Sequence, residues 1–423
     1  MHIQIPEYQT LMTLLFPIIK HTLIKRRIRQ NKEHPERISE RLGQYTFKRP
    51  EGKLYWFHGA SVGEAISMLP LIDKLLNEDQ DLHIMVTTGT LTSAEIMQKR
   101  LPKRAFHQFI PFDVKQFAQN LITHFKPNAV LWFESELWPS LIYEIKQHNI
   151  PLILVNGRIS DSSFKNWKLY KSFIKEILSC FSLCLGQSEQ DKDRLIALGA
   201  KKVDCVGNIK FSPLPLPVNE LLLEELKTTI NQRPVLLLSS THNNEEEQFS
   251  HHIQTLKQSI KDLLIISVPR HPERGREIQK IFQAQNLNTA LRSKLEPITT
   301  STDVYIADTI GEMGLWYSLA SVSFIGGSLI LHGGQNFIEP SRLKNAVILG
   351  PHMHNFKEML EKANLFNAVY QSSSIEEIIK EIITLYNNPA YLEERQTKAY
   401  NWAISELKVL DNIKQALQEE LKL

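Results

Sequence analysis

Cysteine is scarce in this chain of 423 residues, which has three: Cys180, Cys184 and Cys205. That is too few for a disulfide framework and fits a reducing compartment. Cys180 and Cys184 stand one helical turn apart. With no further Cys or nearby His at ligand spacing, they read as buried apolar thiols and not as a metal site. Charge of one sign is scarce as well, and a formal net charge of +3 does not mark a nucleic-acid binder. The N-terminal apolar run "LMTLLFPII", residues 11–19, is about half of the ~20 residues that a spanning helix needs, and Pro17 and Lys20 interrupt it. It is not a signal peptide, because the charges follow the apolar run and no small-residue cleavage site appears. The glycine-rich stretches follow no Gly-x-Gly-x-x-Gly pattern and precede no Walker lysine, and the histidines show no His-Glu-x-x-His spacing. Those absences argue against nicotinamide binding, ATP hydrolysis and a zinc hydrolase centre.

What is present is ordinary globular composition, 42% hydrophobic and 22% charged, at a length that fits two or three domains. The basic residues are uneven. Residues 20–50 hold ten Lys/Arg (Lys20, Lys25, Arg26, Arg27, Arg29, Lys32, Arg37, Arg41, Lys48 and Arg49) against Glu33, Glu36 and Glu40. Next to the apolar run, this cluster suggests that residues 1–34 lie at a membrane interface, on anionic lipid headgroups. The alternative is an amphipathic first helix packed on its own domain.

Beyond residue 35 the chain alternates short apolar runs with amphipathic stretches. Runs at 54–58, 83–87, 129–133, 151–155 and 182–186 predict one parallel sheet covered on both faces. Runs at 235–239, 263–268, 304–307, 322–325 and 346–349 predict a second. Between them Pro213, Pro215 and Pro217 alternate, which forbids helix and central strand and marks 213–219 as a stiff linker. The expected organisation is α/β: one Rossmann-like domain over 35–212, another over 220–390, and a C-terminal helix over 391–423 that packs back on the first domain. Two such domains imply a ligand cleft between them.

Ligands of open α/β sheets bind beyond the carboxyl ends of the strands, and the chemistry-bearing residues cluster there. Glu64 follows the turn in "HGASVGEA", where a carboxylate can serve as general base or stabilise the first turn of a helix. Glu134 and Glu136 end the next such strand among Trp132, Phe133 and Trp138. Lys210 in "GNIKF" stands just before the linker. Arg270, His271 and Arg274 in "SVPRHPER" are anion-binding side chains. Gly311 and Glu312 in "DTIGEMG", and Gly326-Gly327-Ser328, Gly333-Gly334, Asn336 and Glu339 in "GGSLILHGGQNFIEP", suggest turns whose amides meet a phosphate and a carboxylate that meets ribose hydroxyls. The pairs Asp79/Asp81 and Asp191/Asp193 read as solvated surface. The cluster of His242, Glu245, Glu246, Glu247, His251 and His252 reads as a capped helix start rather than a zinc site.

These motifs in their order ("FHGASVGE", "TTGTLTS", "ESELWP", "NGRISDSSF", "QSEQDKDRLIALGA", "GNIKF", "VPRHPER", "GEMG", "GGQNFIEP", "GPHMHNF") resemble the 3-deoxy-D-manno-octulosonic acid (Kdo) transferases of lipopolysaccharide synthesis. The resemblance implies a GT-B glycosyltransferase, with two Rossmann-like domains facing each other across a cleft. It implies CMP-Kdo as donor, a lipid A precursor (lipid IVA) as acceptor, no metal or other cofactor, and an N-terminal anchor on the cytoplasmic face of the inner membrane. Carried over by position, Glu64 is the general base of an inverting displacement, and Glu134 and Lys210 support the transition state. Pro269, Arg270, His271, Gly311, Glu312, Met313, Asn336, Phe337, Ile338 and Glu339 match CMP-binding positions. Gln335 departs from the pattern, standing where many members carry His. Two other readings stay open on sequence: another GT-B glycosyltransferase or sugar-nucleotide epimerase, and a catalytically silent membrane-peripheral binding protein.

Overall fold

Runs of consecutive apolar residues have no polar face to show water, so they form strands only where helices cover both sides of a sheet. The computed structural model describes residues 4–30, 33–134, 136–211 and 216–422. The chain divides into two compact units, one of Met1–Pro213 with Leu407–Leu423, the other of Leu214–Glu406.

The first unit holds β1 (Lys53–His58), β2 (Leu82–Thr88), β3 (Ala105–Phe109), β4 (Ala129–Phe133), β5 (Leu152–Gly157), β6 (Leu183–Gly186) and β7 (Val203–Cys205). They pair in the order β3-β2-β1-β4-β5-β6-β7, all parallel. Side chains alternate between the two faces. Leu54, Trp56, Val130 and Trp132 enter one core, while Tyr55, Phe57, Leu131 and Phe133 enter the other. Emptying one of the large buried positions, as in Trp56→Ala, costs about 3–5 kcal/mol.

The second unit holds β8 (Val235–Thr241), β9 (Leu264–Pro269), β10 (Thr289–Leu291), β11 (Val304–Ile306), β12 (Val322–Ile325), β13 (Ala346–Leu349) and β14 (Val369–Gln371). Their order is β10-β11-β9-β8-β12-β13-β14, again parallel throughout. Both sheets therefore have a topological switch point, between β1 and β4 in one and between β8 and β12 in the other.

Each of the ten apolar runs read from the sequence is a strand, within two residues at either end. The compact second unit continues to Glu406, past the boundary expected at 390, because Trp402 is buried and stacks on Phe337 at 5.5 Å between ring centroids. The helix Pro389–Leu421 then contributes Val409, Ile413 and Leu417 to the core of the first unit. Of the expected linker, residues 213–215 lie outside the described residues, while Leu216 and Val218 pack on the core of the second unit.

The N-terminal segment follows the second of its two readings, a first helix packed on its own unit, and leaves part of its apolar run exposed. The helix Ile5–Arg29 runs through Pro17 instead of breaking there. Ile5, Gln9 and Phe16 are buried. Phe16 packs against Phe112 and Phe117, and the Tyr8 hydroxyl donates to Asp113 at 3.1 Å. Leu11, Leu14, Leu15 and Ile18 remain exposed. The basic cluster is partly spent inside the unit. Arg27 and Arg41 both pair with buried Glu33, Arg37 pairs with Glu40, and Arg49 donates to the carbonyls of Phe125, Pro50 and Gly52. Lys25, Arg26 and Arg29 are exposed, and Lys32 lies outside the described residues. Among the described residues no helix is long and apolar enough to cross a membrane.

Candidate active site

The turn after β1 and the helix Val62–Glu78 place Glu64. Ser61 is the N-cap, its hydroxyl accepting the Glu64 N–H at 3.3 Å. The Glu64 carboxylate folds back, its Oε2 accepting the Ala60 N–H at 2.6 Å and its Oε1 the Ser61 hydroxyl at 2.9 Å. The helix-start reading and the general-base reading thus use the same atoms. Gly59 is required beside it, since a Cβ there would stand 3.0 Å from the Glu64 Cβ and 2.1 Å from the Met68 methyl. Burial raises the Glu64 pKa above the ordinary carboxylate value, and the negative charges of Glu134 and Glu136 raise it further against its two hydrogen bonds.

Glu134 ends β4, the strand next to β1 across the switch point, and has a left-handed backbone at φ 59°. A non-glycine residue there costs about 1–2 kcal/mol, a strain that clusters at functional positions. Lys210 forms an ion pair with Glu134 Oε1. The structure therefore brings together in the first unit the three residues expected to carry the reaction.

A network of buried amides, which sequence reasoning missed, holds Lys210. Asn156, at φ 59°, ends β5; Gln187 follows β6 and Asn208 follows β7. Asn156 Oδ1 accepts the Ile209 N–H at 3.0 Å, and its carbonyl accepts Gln187 Nε2 at 3.0 Å. Gln187 Oε1 accepts Asn208 Nδ2 at 3.0 Å, and Asn208 Oδ1 accepts the Lys210 N–H at 3.0 Å. The signal was available, because all three stand in motifs already singled out, Asn156 near the end of β5, Gln187 just after β6 and Asn208 shortly after β7. Asp191 is likewise not solvated surface: it is buried and accepts the Ile159 N–H at 2.8 Å and the Ser188 hydroxyl at 2.6 Å.

Beside this constellation lies a cavity of about 750 Å³, lined by Ala60 and Ser61, Arg27, Thr90, Phe112 and Trp138 among others. Glu64's two hydrogen-bond partners thus belong to the cavity wall. The Glu136 carboxylate lines it as well and accepts Trp138 Nε1 at 3.3 Å. Arginine, hydroxyls and aromatic rings together suit a ligand with sugar, anionic and apolar parts. Ser135 of the same segment lies outside the described residues.

The remaining expected site residues belong to the second unit. Pro269 ends β9 and the Arg270 side chain is exposed after it. His271 is also exposed, with its Nδ1 3.6 Å from Glu273, while Arg274 is drawn away by Glu246 and Glu277. Gly311 adopts φ 89°, and a Cβ there would meet nothing within 4 Å. Glu312 is held by Arg292 at 2.8 Å and by the Thr309 hydroxyl, which keeps its pKa below the ordinary carboxylate value. Met313 begins the helix Met313–Leu319. Asn336 Nδ2 donates to Glu339 at 3.1 Å. Burial raises the Glu339 pKa. Phe337 and Ile338 are fully buried, so their side chains serve the core and only their backbone can face a ligand.

One expectation is overturned. The amides of the Gly326-Gly327-Ser328 turn are not free for phosphate, because Glu245 already takes them. Its carboxylate, fully buried, accepts the N–H groups of Gly327 at 2.7 Å, Ser328 at 3.1 Å, Leu329 at 3.0 Å and His242 at 2.9 Å. The helix start read from the sequence is there, at Glu245–Ser250, but its N-cap, Asn244, makes no side-chain capping bond.

Comparison with known proteins bears on both units. The family model described as 3-deoxy-D-manno-octulosonic-acid transferase (kdotransferase) matches residues 36–213. The chain is 36% identical over 413 residues to the 3-deoxy-D-manno-octulosonic acid transferase of Rickettsia bellii, covering 97% of this chain and 98% of that one. It is 31% identical over 369 residues to the enzyme of that name from Haemophilus influenzae, covering 85% of each. In fold it is similar to the crystal structure of a glycosyltransferase from Rickettsia africae, with a TM-score of 0.54 at 14% identity, over 88% of this chain and 100% of that one. A GT-B glycosyltransferase fold, and sequence identity carried across nearly the whole length, establish that the chain belongs to the Kdo transferase family.

Proposed function

We propose that this chain transfers Kdo from CMP-Kdo to a sugar hydroxyl of a lipid A precursor, lipid IVA, with inversion at the anomeric carbon. The observation that carries the reading is the meeting of Glu64, Glu134 and Lys210 beside an amphipathic cavity. Glu64 takes the proton from the acceptor hydroxyl, whose oxygen bonds to the anomeric carbon. The carbon–oxygen bond to the phosphate breaks, and CMP leaves with that electron pair. A raised carboxylate pKa suits a base that has to accept a proton near neutrality. Lys210, paired with Glu134, keeps an ammonium near the reacting groups, and Arg270 offers a guanidinium to the departing phosphate. One well-placed donor is worth about 3 kcal/mol of barrier. In this scheme the cations of Lys210 and Arg270, and not a divalent metal, answer the negative charge that develops on the departing phosphate.

The same reading puts the protein on the membrane that contains its acceptor, at the cytoplasmic face of an inner membrane. Exposed Leu11, Leu14, Leu15 and Ile18, with Lys25, Arg26 and Arg29 further along the same helix, support a surface-lying anchor. Apolar insertion is reinforced by about 1 kcal/mol for each Lys or Arg near anionic headgroups.

The test incubates purified protein with lipid IVA and CMP-Kdo, with and without EDTA, and weighs the lipid by mass spectrometry. Whole Kdo increments, lost in Glu64→Gln and indifferent to EDTA, are expected. Unmodified lipid from folded protein with confirmed donor would overturn the assigned substrates.

A further inference from the structure

Because Glu245 fills the amide nest after β12, that nest offers nothing to an anion at this end of the second sheet, and three segments deliver side chains in its place. His242 follows β8, Arg270 and His271 follow β9, and His332 and Gln335 lie in the loop after β12. The His242 and His332 rings lie 3.9 Å apart between centroids, and the His271 ring is 6.1 Å from that of His242. Gln335 Nε2 stands 3.0 Å from His242 Nε2. With the amide nitrogen donating, the imidazole proton of His242 belongs on Nδ1.

Gly327 makes the pairing of the two rings possible. At φ 67°, a Cβ there would stand 3.1 Å from His332 Cδ2 and 3.3 Å from His242 Cδ2. His242 is largely buried, whereas His332 and Arg270 are exposed, so the cluster opens to solvent on one side. Burial, with His332, His271, Arg270 and Arg274 nearby, lowers the His242 pKa to about 4, so near neutrality its ring is an uncharged hydrogen-bonding group. Among the described residues no group of three or more His, Cys, Asp or Glu is arranged to hold a metal ion. Imidazole and guanidinium donors at a switch point are suited to an oxyanion.

We propose that His242 and His332, together with Arg270, form the seat of the donor's phosphate, the group that becomes a phosphate monoester when the sugar leaves. This rests on the reading of CMP-Kdo as donor. Gln335 is the positioning residue that holds His242 toward the seat.

Calorimetric titration of the full-length protein with CMP and with cytidine tests it. The wild type should bind CMP more tightly than cytidine. His332→Gln, at an exposed position, and His242→Gln should each weaken CMP about tenfold or more, the loss of one hydrogen bond to a charged group, and leave cytidine affinity unchanged. Unchanged CMP affinity in a folded His332→Gln protein would overturn the seat. A rise confined to KM for CMP-Kdo, with CMP binding intact, would overturn the phosphate assignment in favour of the donor's carboxylate. Wild-type protein that binds neither CMP nor CMP-Kdo would instead overturn the donor reading itself, before any variant is examined.

Discussion

Glu64→Gln separates the cap that the Glu64 carboxylate forms from the base proposed for it. As a cap, Glu64 accepts the Ala60 N–H at 2.6 Å and the Ser61 hydroxyl at 2.9 Å. Glutamine keeps an oxygen for Ala60, and its amide nitrogen can donate to the Ser61 hydroxyl. What disappears is charge assistance, about 1–2 kcal/mol. What is recovered is the cost of burying a carboxylate, the leading cause of its raised pKa. The two offset, so stability should change by no more than about 1 kcal/mol, or about 2–4 °C in Tm. As a base, by contrast, Glu64 is asked for about 10²–10⁴ in rate, equivalent to about 3–5 kcal/mol of barrier. Initial rates with saturating lipid IVA and CMP-Kdo, beside a calorimetric scan, read the two quantities independently. Loss of at least a hundredfold in turnover with Tm held is expected. Turnover kept within threefold would refute the base assignment. Turnover and Tm falling together would reduce Glu64 to its cap. Ser61→Ala is the control: it removes the N-cap at a cost of about 1 kcal/mol and should leave activity within about tenfold.

The rate should also report the environment of Glu64. Its deprotonated form is the active one, so kcat/KM should climb with pH along a limb displaced above the ordinary carboxylate value, and Glu134→Gln, which removes a neighbouring negative charge, should move that limb down. The stability linkage has the same origin. With the folded pKa above the unfolded one, this group favours the folded state most at low pH, and that contribution declines as pH rises from the unfolded value through the folded one, which a pH series of urea titrations on wild type and Glu64→Gln would reveal. Glu245→Gln offers one oxygen to four N–H donors and turns an amide against the others; with two left unsatisfied at about 1–3 kcal/mol each, urea unfolding should show about 3–5 kcal/mol lost, and a loss below 1 kcal/mol would sink the account of that nest. Asn156→Ala should lower kcat about tenfold with KM for CMP-Kdo unchanged, because it frees the Ile209–Lys210 turn without touching the second unit; an effect on KM alone would contradict it. Replacing Leu14 and Ile18 together by Asp should abolish sedimentation with anionic vesicles while leaving Tm within about 2 °C, since both side chains are exposed; binding that persists would refute the surface anchor.

The sequence was legible where one strand's burial decides its composition. All ten interior apolar runs are strands, and the four strands it did not reveal, β3, β7, β10 and β14, are the four sheet edges. An edge strand has only one neighbour and can be short and partly polar: Val203–Cys205 has no fully buried residue, and Ala105–Phe109 is half-buried over its first three positions. No apolar run announces such a segment. The candidate base and its partner were legible for a related reason, since Glu134 directly follows the interior strand β4 and Glu64 lies in the first turn of the helix after interior strand β1. Asn156 and Gln187 stand at the ends of interior strands as well, and Asn208 follows the edge strand β7, but an amide there looks like any turn, and only the fold brings three of them together. Glu245 exposes a different limit. Its helix-start role is local, whereas three of its four bonds reach more than eighty residues along the chain. Likewise, nothing in the spacing of Arg27 and Arg41 announces that both close on Glu33.

The two switch points turn the same element of architecture to opposite electrostatic ends. In the first unit the segments after the flanking strands carry carboxylates, Glu64 and Glu134; burial raises the Glu64 pKa, the charge of Glu134 raises it further, and one cation, Lys210, pairs with Glu134. In the second unit the carboxylate at the corresponding place, Glu245, is turned inward and consumed by backbone amides, so the side chains left around that mouth are the largely buried His242 and the exposed His332, His271 and Arg270. A base that has to deprotonate a neutral hydroxyl gains from negative neighbours, and an anionic nucleotide gains from their absence. The sign of charge at each sheet's mouth therefore follows from the substrate each would handle. Reversing one sign is the sharpest trial of this idea: Arg270→Glu should weaken CMP by more than Arg270→Ala does, because repulsion adds to the lost hydrogen bonds, while the acidic limb of kcat/KM set by Glu64 stays in place. Equal effects of the two substitutions on CMP affinity would show that charge at this mouth does not govern donor binding.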